Sequence, residues 1–371
     1  MDQDLQKEQK MSSLIVEVCK IEESFKHPNA DKLSIVKVKG WYCITGLDQY
    51  SSGDLVVYVP PDSIVPDNLI EKYGLEYLKK NGRVGTVKLR GYISQGLILD
   101  LPDGNWKEGD DLANFLGITK WEVPIAPVHM QAKQTSKKKI NPKFDKYTDI
   151  ENIKNYNRIF NDNDLVVITE KIHGSNFRCG NLPIVDDKNQ PLFYRIRSWF
   201  IRHVLKQKYE FVWGSHNVQI TYHENRNSYY GEDIWGKIVE KYSLENIIPE
   251  DYIIYGEIYG KGVQDLTYDL DDIDLMIFDI KKDGKYLDWF QVQLFCDDWG
   301  LPIVPELYFG KFDENILNDL TTGNSTIAPN QIREGVVVKC FVEENHPKLG
   351  RKILKSINPD YLLRKNGTEF K

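Results

Sequence analysis

Several short apolar runs of this chain carry a charged residue, and this pattern most constrains how the chain can fold. Lys171 ends DLVVITEK and Glu257 interrupts IIYGEIYG, while Glu334 opens EGVVVKC and Lys355 follows KIL. Each charge taken alone could be a lysine whose ammonium reaches water, or one partner of a buried ion pair. Together, two lysines and two carboxylates directed into one pocket match what a phosphate and a divalent cation require.

Length and composition limit the class of protein. With 371 residues, the chain is long enough for two domains that each bury a core. Its 55 acidic and 48 basic residues give a net charge of −7, so any attraction to nucleic acid must come from a local basic surface. The 5 cysteines are dispersed without a CxxC pair, which argues against a disulfide framework or zinc site and favours a cytoplasmic location. The polar amino terminus, and the lack of any apolar run near about 18 residues, predict neither an export signal nor a membrane span.

Residues 1–125 are predicted to form a small antiparallel β-barrel domain. Short alternating segments, such as LSIVKVKGWYCITG and DLVVYVPPDS, are separated by turns rich in glycine and proline. The segment DNLIEKYGLEYLKKNG, residues 67–82, has a loose helical stripe of apolar side chains, so we expect a helical insertion there.

Residues 126–147 are predicted to be a linker, and residues 148–371 a second domain of the α+β class. The linker segment is polar, with two prolines and six lysines against one aspartate. Its lysines are interpreted either as a solvated surface or as contacts to a nucleic-acid backbone. Beyond it, an amphipathic helix in DIWGKIVEKYSL mixes with strands such as DYIIYGEIYG, without regular βαβ alternation.

Four segments resemble, in the correct order, the motifs of the covalent nucleotidyltransferases. KIHGSN (171–176) is similar to motif I, YGEIYG (255–260) to motif III, IFDI (277–280) to motif IIIa and EGVVVK (334–339) to motif IV. The His-Gly form of motif I, with Asn176 five residues after the lysine, resembles the ATP-dependent RNA ligases.

The amino-terminal domain narrows this resemblance to one branch of the RNA ligases. HPNADKLSIVKV (27–38) and VKLRGYISQGLIL (87–99) resemble the OB-fold tRNA-binding modules of some synthetases. An OB-fold-like domain before the nucleotidyltransferase (ligase adenylylation) domain is similar to the Deinococcus- and Naegleria-type nick-sealing enzymes. The resemblance implies ATP and Mg²⁺ or Mn²⁺ as cofactors, AMP bound covalently to a lysine, and RNA ends, in a nicked duplex, as the partner of a monomeric enzyme.

The implied chemistry places a physical demand on Lys171. A free lysine has a pKa of about 10.4, so only roughly 1 in 2,500 molecules carries an unprotonated amine at pH 7. Lowering that pKa to neutrality requires about 3 units, or roughly 4 kcal/mol, which nearby cations and partial burial can supply. A metal ion and Lys355 are the available positive charges, and Glu257 and Glu334 oppose them unless a metal neutralises the carboxylates.

The resemblance also implies roles for residues around the nucleophile Lys171. Glu334 is expected to bind the metal ion, and Glu257 to bind the metal or the ribose. Phe278 is expected to stack on adenine, although a residue of this kind could equally belong to the core. The other residues implied to bind ATP or AMP are Glu170, Ile172, His173, Gly174, Asn176, Lys352 and Lys355.

Two departures from the family pattern affect the predicted contacts. Where these ligases have a Ser-Arg pair after motif I, this chain has His216 in GSHN, with Arg178 as a candidate substitute for the arginine. Motif V is commonly K-x-K, whereas Lys352 and Lys355 are three residues apart and face opposite ways on a strand. Of the two, we favour Lys355 for the phosphate contact.

The segment YRIRSWFIRHVLKQKY, residues 194–209, is basic and contains several aromatic residues. It is interpreted as an amphipathic helix packed by apolar residues, as an RNA-binding surface, or as both. In the RNA-binding interpretation, Arg195, Arg197 and Arg202 contact phosphates.

Three hypotheses about function follow from these observations. The leading one is an ATP-dependent RNA ligase. A DNA ligase or a capping-type guanylyltransferase shares the lysine chemistry, but an OB domain at the amino end disfavours both. The alternative from another class is a non-catalytic RNA-binding protein with a degenerate ligase core, which intact Lys171, Glu257 and Glu334 argue against.

Overall fold

The chain divides into two units, and the first takes its residues from two separate stretches of sequence. A computed structural model describes residues 14–78, 81–121, 141–156, 158–185, 196, 199, 203–204, 206–220, 233–347 and 349–364. Unit 1 comprises Met1–Met130 and Ile153–Asn157, and unit 2 comprises Gln131–Asn152 and Arg158–Lys371. Sequence patterns alone do not assign Ile153–Asn157 to the amino-terminal domain.

Unit 1 is built from short antiparallel strands. These are β1 (Glu17–Lys20), β2 (Glu23–Lys26), β3 (Leu33–Val38), β4 (Trp41–Gly46), β5 (Leu55–Val59), β6 (Ser63–Ile64), β7 (Thr86–Leu89), β8 (Tyr92–Gln95), β9 (Leu97–Leu99) and β10 (Thr119–Lys120). They form the sheets β1-β5-β9 and β2-β3-β4 and the pairs β7–β8 and β6–β10. The pairing confirms the predicted antiparallel architecture of the amino-terminal domain.

Alternation along the strands of unit 1 separates its core from its surface. Val36 pairs with Cys43 and Val38 with Trp41 across β3 and β4, and all four side chains are at most 4% exposed. Tyr42, between two of them, points the other way and is 40% exposed. One face of this sheet is therefore core, as the period of two predicts.

Helices are short in unit 1. They are α1 (Asp67–Lys72), a 3₁₀ turn (Glu76–Leu78) and α2 (Ala113–Leu116). The predicted helical insertion at 67–82 is thus interrupted, because Gly74 adopts a positive φ of 63° that ends α1.

Ile153–Asn157 joins unit 1 through charged side chains. Within it, Ile153–Tyr156 forms a 3₁₀ turn. Lys39 Nζ donates a hydrogen bond to Asn155 O at 3.2 Å, and Lys154 Nζ lies 4.6 Å from the ring centroid of Trp41. Burial lowers the pKa of Lys154.

Unit 2 is built around two larger sheets. Its strands are β11 (Glu151–Asn152), β12 (Leu165–Glu170), β13 (Ser175–Pro183), β14 (Tyr209–Gly214), β15 (Gln219–Ile220), β16 (Tyr252–Gly260), β17 (Ile273–Lys282), β18 (Lys285–Tyr286), β19 (Glu306–Lys311), β20 (Gly335–Cys340), β21 (Asn345–His346), β22 (Gly350–Arg351) and β23 (Ile353–Ile357). One sheet has five strands in the order β11-β23-β20-β12-β19, and the other has six in the order β15-β14-β13-β16-β17-β18. The strands β21 and β22 form a separate hairpin.

The helices of unit 2 pack beside these sheets. They are α3 (Ile234–Lys241), α4 (Leu244–Ile247), α5 (Trp289–Asp298), α6 (Glu314–Thr321) and α7 (Pro359–Leu362). The predicted amphipathic helix is α3, which begins after the Asp233 cap and buries Ile234, Trp235, Ile238 and Val239. This mixture of helices with sheets that are mainly antiparallel confirms the α+β class. In the described ranges, no helix is long and apolar enough to cross a membrane.

The end of the predicted linker belongs to the core of unit 2. Phe144 and Tyr147 are 4% and 8% exposed and pack in a cluster that includes Tyr255 and Ile353. In the sequence, the many lysines of residues 126–147 make the whole segment resemble a polar linker, so its two aromatic residues give little signal of a core. Their burial removes large apolar surfaces from water. A linker extending to residue 147 is therefore wrong, while residues 122–140 lie outside the described part of the chain.

A buried ionic cluster is centred on Asp279 of β17. Its carboxylate accepts hydrogen bonds from Tyr147 Oη at 2.8 Å and Lys339 Nζ at 3.2 Å, and Arg351 Nη2 lies 2.7 Å away. Burial acts to raise the pKa of Asp279, but Arg351, Lys339 and Tyr147 outweigh it and hold the pKa below its usual value. Burial also lowers the pKa of Lys339.

Asp279→Asn is expected to destabilise unit 2 by about 3 kcal/mol, because it leaves the buried Lys339 without its carboxylate and leaves Arg351 with that of Glu343 alone. The contribution of Asp279 should be fully present above about pH 4 and be lost as the pH falls through its lowered folded-state pKa. Denaturant unfolding at several pH values measures both effects. Asp272→Asn, at the exposed ion pair with Lys237, is the matched control and should change stability little. Equal unfolding midpoints for the two variants would contradict the expected effect.

Candidate functional site

A cavity of about 160 Å³ lies in unit 2, with walls from both sheets. The five-stranded sheet contributes Thr169, Val337 and Ile353, and the six-stranded sheet contributes Glu257 and Phe278. The full lining is Tyr147, Ile150, Thr169, Glu170, Lys171, Ile172, Asn176, Glu257, Phe278, Val304, Val337, Lys339 and Ile353. Six of these residues were singled out from the sequence as candidates for nucleotide binding or catalysis: Glu170, Lys171, Ile172, Asn176, Glu257 and Phe278.

Lys171 stands directly after β12, where the strand leaves the sheet. Its backbone N–H donates to Gly335 O at 3.0 Å, which fixes the start of the turn against β20. Its side chain is 26% exposed, and Nζ lies 2.5 Å from Oε1 of Glu334, a residue that is only 2% exposed. A carboxylate at this distance favours the charged form of an amine.

The turn after Lys171 requires a glycine. A Cβ on Gly174 would lie 2.0 Å from Ile258 O, which no side chain can tolerate. This close approach brings Asn176 into register with Glu257 across β13 and β16. The buried Asn176 Oδ1 has no hydrogen-bond partner in the part of the chain that the structure describes, and Asn176 lines the cavity. An orphaned buried oxygen at this wall fits a site that binds a ligand.

His173 is buried and makes hydrogen bonds at both ring nitrogens. Nε2 lies 2.8 Å from Asp265 Oδ1, and Nδ1 lies 2.8 Å from Tyr361 Oη. Its backbone N–H donates to Tyr268 Oη at 2.7 Å. Sequence reasoning did not single out these three partners, which come from the β16–β17 loop and α7. A histidine satisfied in this way is held rigidly, two residues after Lys171.

Phe278 and Glu170 are placed differently with respect to the cavity. The Phe278 ring lines it and meets Tyr147 edge-on at a centroid distance of 4.8 Å. The Glu170 carboxylate instead accepts hydrogen bonds from Ser325 Oγ at 2.5 Å and from Thr326 N at 2.8 Å. Because the Glu170 carboxylate is engaged in these bonds, the predicted contact of Glu170 with adenine would have to come from its main chain.

Of the two candidate lysines of motif V, Lys355 lies in β23 and Lys352 lies just before it. Lys355 pairs directly with Val337, so it shares the sheet face of the cavity-lining Val337 and Ile353. Lys352 points away, and its Nζ donates to Asp164 Oδ2 at 2.7 Å. Burial acts to lower the pKa of Lys352, but the hydrogen bond and charge of Asp164 raise it overall. The alternation of a strand thus directs the two lysines to opposite sides, and Lys352 is the one that Asp164 engages.

The residues predicted to contact RNA differ in their exposure, and several lie outside the described part of the chain. Arg178 is 2% exposed and donates through Nη1 to Phe144 O at 2.6 Å and through Nε to Ser215 O at 3.0 Å, which weighs against a direct contact with RNA. His216 is partly exposed, with Nε2 3.7 Å from Asp149 Oδ1. Arg195, Arg197 and Arg202 lie outside the described residues.

Two residues of the cavity were missed although the sequence contained a signal. Lys339 ends the EGVVVK segment, and its buried Nζ lies 3.2 Å from Phe278 O and 4.5 Å from the ring centroid of Trp289. Tyr147 is concealed by the lysine-rich composition of the preceding segment. The sequence held two indications that these residues belong to the site. One is a lysine in the apolar strand that follows Glu334, and the other is an aromatic residue beside a polar segment.

A unit of antiparallel strands precedes a two-sheet unit, and a lysine at a strand end lines the cavity of the second unit. The fold and this site place the chain in the class of ligase-type nucleotidyltransferases. Residues 164–357, just over half of the chain, match the family model of the RNA ligases, and residues 15–101 match that of an OB-fold domain. The chain belongs to the RNA ligase family. It is an RNA ligase with an amino-terminal OB-fold domain.

Solved structures with the same fold include several of the Naegleria gruberi RNA ligase. A mutant of that enzyme without ligand is similar to this chain with a TM-score of 0.70 and 22% identity, over 95% of this chain and 98% of that one. A mutant with ATP and Mn has a TM-score of 0.68 and 21% identity, over 94% and 98%. A form with PPi has a TM-score of 0.67 and 22% identity, over 95% and 98%. A search of curated proteins finds no match.

Proposed function

We propose that the chain seals RNA ends with ATP through a lysyl-AMP intermediate on Lys171. The observation that carries this proposal is the position of Lys171, whose side chain lines the cavity with Nζ 2.5 Å from the buried Glu334 carboxylate. Phosphoryl transfer depends mainly on positioning and charge stabilisation, and this arrangement supplies both. Structures of the Naegleria ligase with ATP and Mn and with AMP and Mn support the same choice of ligands.

A Mg²⁺ or Mn²⁺ ion is proposed to bind at Glu334 and Glu257. Such ions prefer carboxylate, water and phosphate oxygens, and one or two protein carboxylates suffice when the substrate supplies phosphates. In the described residues, no group of three or more His, Cys, Asp or Glu side chains could hold a metal. The proposed site thus depends on the nucleotide for its remaining ligands. Such an ion would neutralise phosphate charge, and Glu334, which pairs with Lys171, would be one of the residues that hold it.

The first step is the attack of Lys171 on the nucleotide. The unprotonated amine forms a bond from Nζ to the α-phosphorus, the bond between the α-phosphorus and the bridging oxygen breaks, and pyrophosphate leaves. Gly174 allows the backbone to approach the sugar and phosphate, and Lys355, on the cavity face of β23, is proposed to contact the α-phosphate. Lys352 remains the second choice because Asp164 engages it.

The base and sugar occupy the rest of the cavity in this proposal. Phe278 stacks on adenine, and Ile172 adds apolar surface. Asn176 and Glu257 lie side by side on neighbouring strands and contact the ribose or phosphate. Glu170 contributes main-chain atoms. His173, whose ring is fixed by Asp265 and Tyr361, contributes to the geometry beside the phosphate.

The second and third steps use RNA. AMP passes from Lys171 to an RNA 5′-phosphate, and a 3′-hydroxyl then attacks that phosphate and releases AMP. We propose that the substrate is a nicked duplex, sealed by a monomer, with His216, Arg195, Arg197 and Arg202 near the RNA end. Sealing rates on nicked duplex and on single strands, with sedimentation of the free enzyme, test these points. Faster joining of single strands, or a stable dimer, would contradict them.

Unit 1 is proposed to bind the RNA backbone through the β7–β8 hairpin. His27 Nε2 donates to Leu89 O at 3.2 Å and Asn29 Nδ2 donates to Arg90 O at 3.0 Å, which hold the hairpin turn. Lys88, Arg90 and Tyr92 are exposed on this hairpin, a combination suited to phosphates and bases. Unchanged affinity for nicked RNA after Arg90→Glu would argue against this surface.

The proposed activity predicts that the protein, incubated with labelled ATP and Mg²⁺ or Mn²⁺, acquires a covalent label that survives denaturing electrophoresis. Labelled GTP is the matched control and should give little or no label, because the proposed product is lysyl-AMP. Labelling by GTP alone would favour a capping-type enzyme. No labelling by either nucleotide would favour an RNA-binding protein without catalysis.

We also propose a reducing compartment, the cytoplasm, for this enzyme. All five cysteines are buried free thiols, and burial raises the pKa of Cys19 and of Cys296 to about 12. Such thiols are poor nucleophiles and do not form disulfides readily. Fractionation of cells that express the protein tests this location, and recovery in an oxidising compartment would contradict it.

A further inference from the structure

The imidazole of His173 is held from both sides by groups outside the cavity. Because the Asp265 carboxylate can only accept, Nε2 of His173 carries the proton in their 2.8 Å hydrogen bond. On the other side of the ring, Nδ1 shares a hydrogen bond with Tyr361 Oη, also at 2.8 Å. His173 is 2% exposed, so these bonds determine how its ring is oriented.

The two partners of His173 are themselves joined by one arginine. Arg364 Nη2 donates to Asp265 Oδ2 at 2.7 Å, and its guanidinium carbon lies 3.7 Å from the centroid of the Tyr361 ring. Asp265, His173, Tyr361 and Arg364 therefore form a closed ring of contacts. Loss of one member is expected to loosen the orientation of the others.

Tyr361 and Arg364 lie beyond residue 357, where the match to the RNA ligase family ends. This carboxy-terminal segment is nevertheless attached to the site. Asn358 N donates to Glu334 O at 2.9 Å, and Asn358 Nδ2 donates to Arg333 O at 3.0 Å. The segment that supplies Tyr361 is thus bonded to the backbone of the residue whose side chain pairs with Lys171.

We propose that Tyr361 and Asp265 are positioning residues for lysine adenylylation, acting through the His173 ring. His173 Nδ1 lies 3.9 Å from Glu334 Oε2, and the other oxygen of that carboxylate lies 2.5 Å from Lys171 Nζ. A ring fixed on one side of Glu334 restricts the carboxylate, and with it the place of the nucleophile. The inference rests on the proposed function, because it presumes that Lys171 accepts AMP.

Tyr361→Phe tests this inference because it removes only the hydroxyl and keeps the ring beneath Arg364. We expect single-turnover self-adenylylation to be about five- to tenfold slower, the effect of one lost hydrogen bond. The apparent affinity for ATP should change less than about twofold, since Tyr361 does not line the cavity. In a His173→Ala background the same substitution should have no further effect, because its route to the site is already removed.

Tyr209→Phe is the matched control, since it too removes a tyrosine hydroxyl from a 2.8 Å hydrogen bond, here one to the Asp251 carboxylate away from the cavity. The ¹⁵N NMR signal of His173 Nδ1 should shift in Tyr361→Phe and stay in place in the control. A normal rate for Tyr361→Phe, an equal loss in the His173→Ala background or an unmoved Nδ1 signal would each overturn the inference. A wild-type protein that takes up no label would instead overturn the proposed function.

Discussion

Lys171→Met is expected to abolish covalent attachment of AMP to the protein, with a loss of at least about a thousandfold. Methionine keeps an unbranched side chain at the cavity wall but has no amine to form the bond to phosphorus. The joining of an RNA end that already carries AMP should continue, because that step breaks the bond to AMP without using the lysine. Gel assays with labelled ATP and with a pre-adenylylated nicked duplex measure the two steps separately.

Lys237→Met is the control for this substitution, because Lys237 lies on α3 and forms an exposed ion pair with Asp272. It should retain both activities. Survival of covalent labelling in Lys171→Met would show that another residue is the nucleophile. Loss of joining on the activated end, with labelling intact, would show that Lys171 acts in sealing and not as the acceptor of AMP.

Glu334→Gln is expected to reduce both steps by at least about a hundredfold, a pattern different from that of Lys171→Met. The substitution keeps the shape of the side chain and removes the charge that would hold the metal ion. It also removes the ion pair with Lys171, whose Nζ is 2.5 Å from Glu334 Oε1. Charge on phosphate oxygens must be stabilised in the transition states of both lysine adenylylation and RNA sealing. Loss of the ion should therefore slow both steps.

Two measurements check this second prediction. The assays used for Lys171→Met give the two rates, and electron paramagnetic resonance of Mn²⁺ with a non-hydrolysable ATP analogue gives metal binding directly. Glu314→Gln, at an exposed position on α6, is the matched control and should behave as the wild type. Unchanged Mn²⁺ binding in Glu334→Gln would remove Glu334 from the proposed metal site.

The spacing of apolar residues along the sequence predicted the strands and helices whose formation depends on neighbouring residues. Alternation identified β3 and β4, and the spacing of Ile234, Trp235, Ile238 and Val239 identified α3. The same alternation distinguished Lys355 from Lys352 before any contact was known. These features follow from strand and helix periods, which any sequence displays directly.

Contacts between residues distant in sequence could not be predicted in this way. Tyr361 and Asp265 meet at His173 although 188 and 92 residues separate them from it. The Glu170 carboxylate is taken by Ser325 and Thr326, 155 and 156 residues away, which no property of the strand DLVVITE reveals. Composition was misleading for Tyr147, since six lysines outweighed two buried aromatic residues in the same segment.

The return of Ile153–Asn157 to unit 1 affects how this enzyme could be divided or recombined. The chain passes between the units after residues 130, 152 and 157, so three tethers connect them where a simple fusion would have one. A cut at any single point leaves one fragment carrying a piece that packs with the other, such as Lys154 on Trp41. Exchange of the OB module for that of a related enzyme would therefore have to transfer two separate coding segments at once.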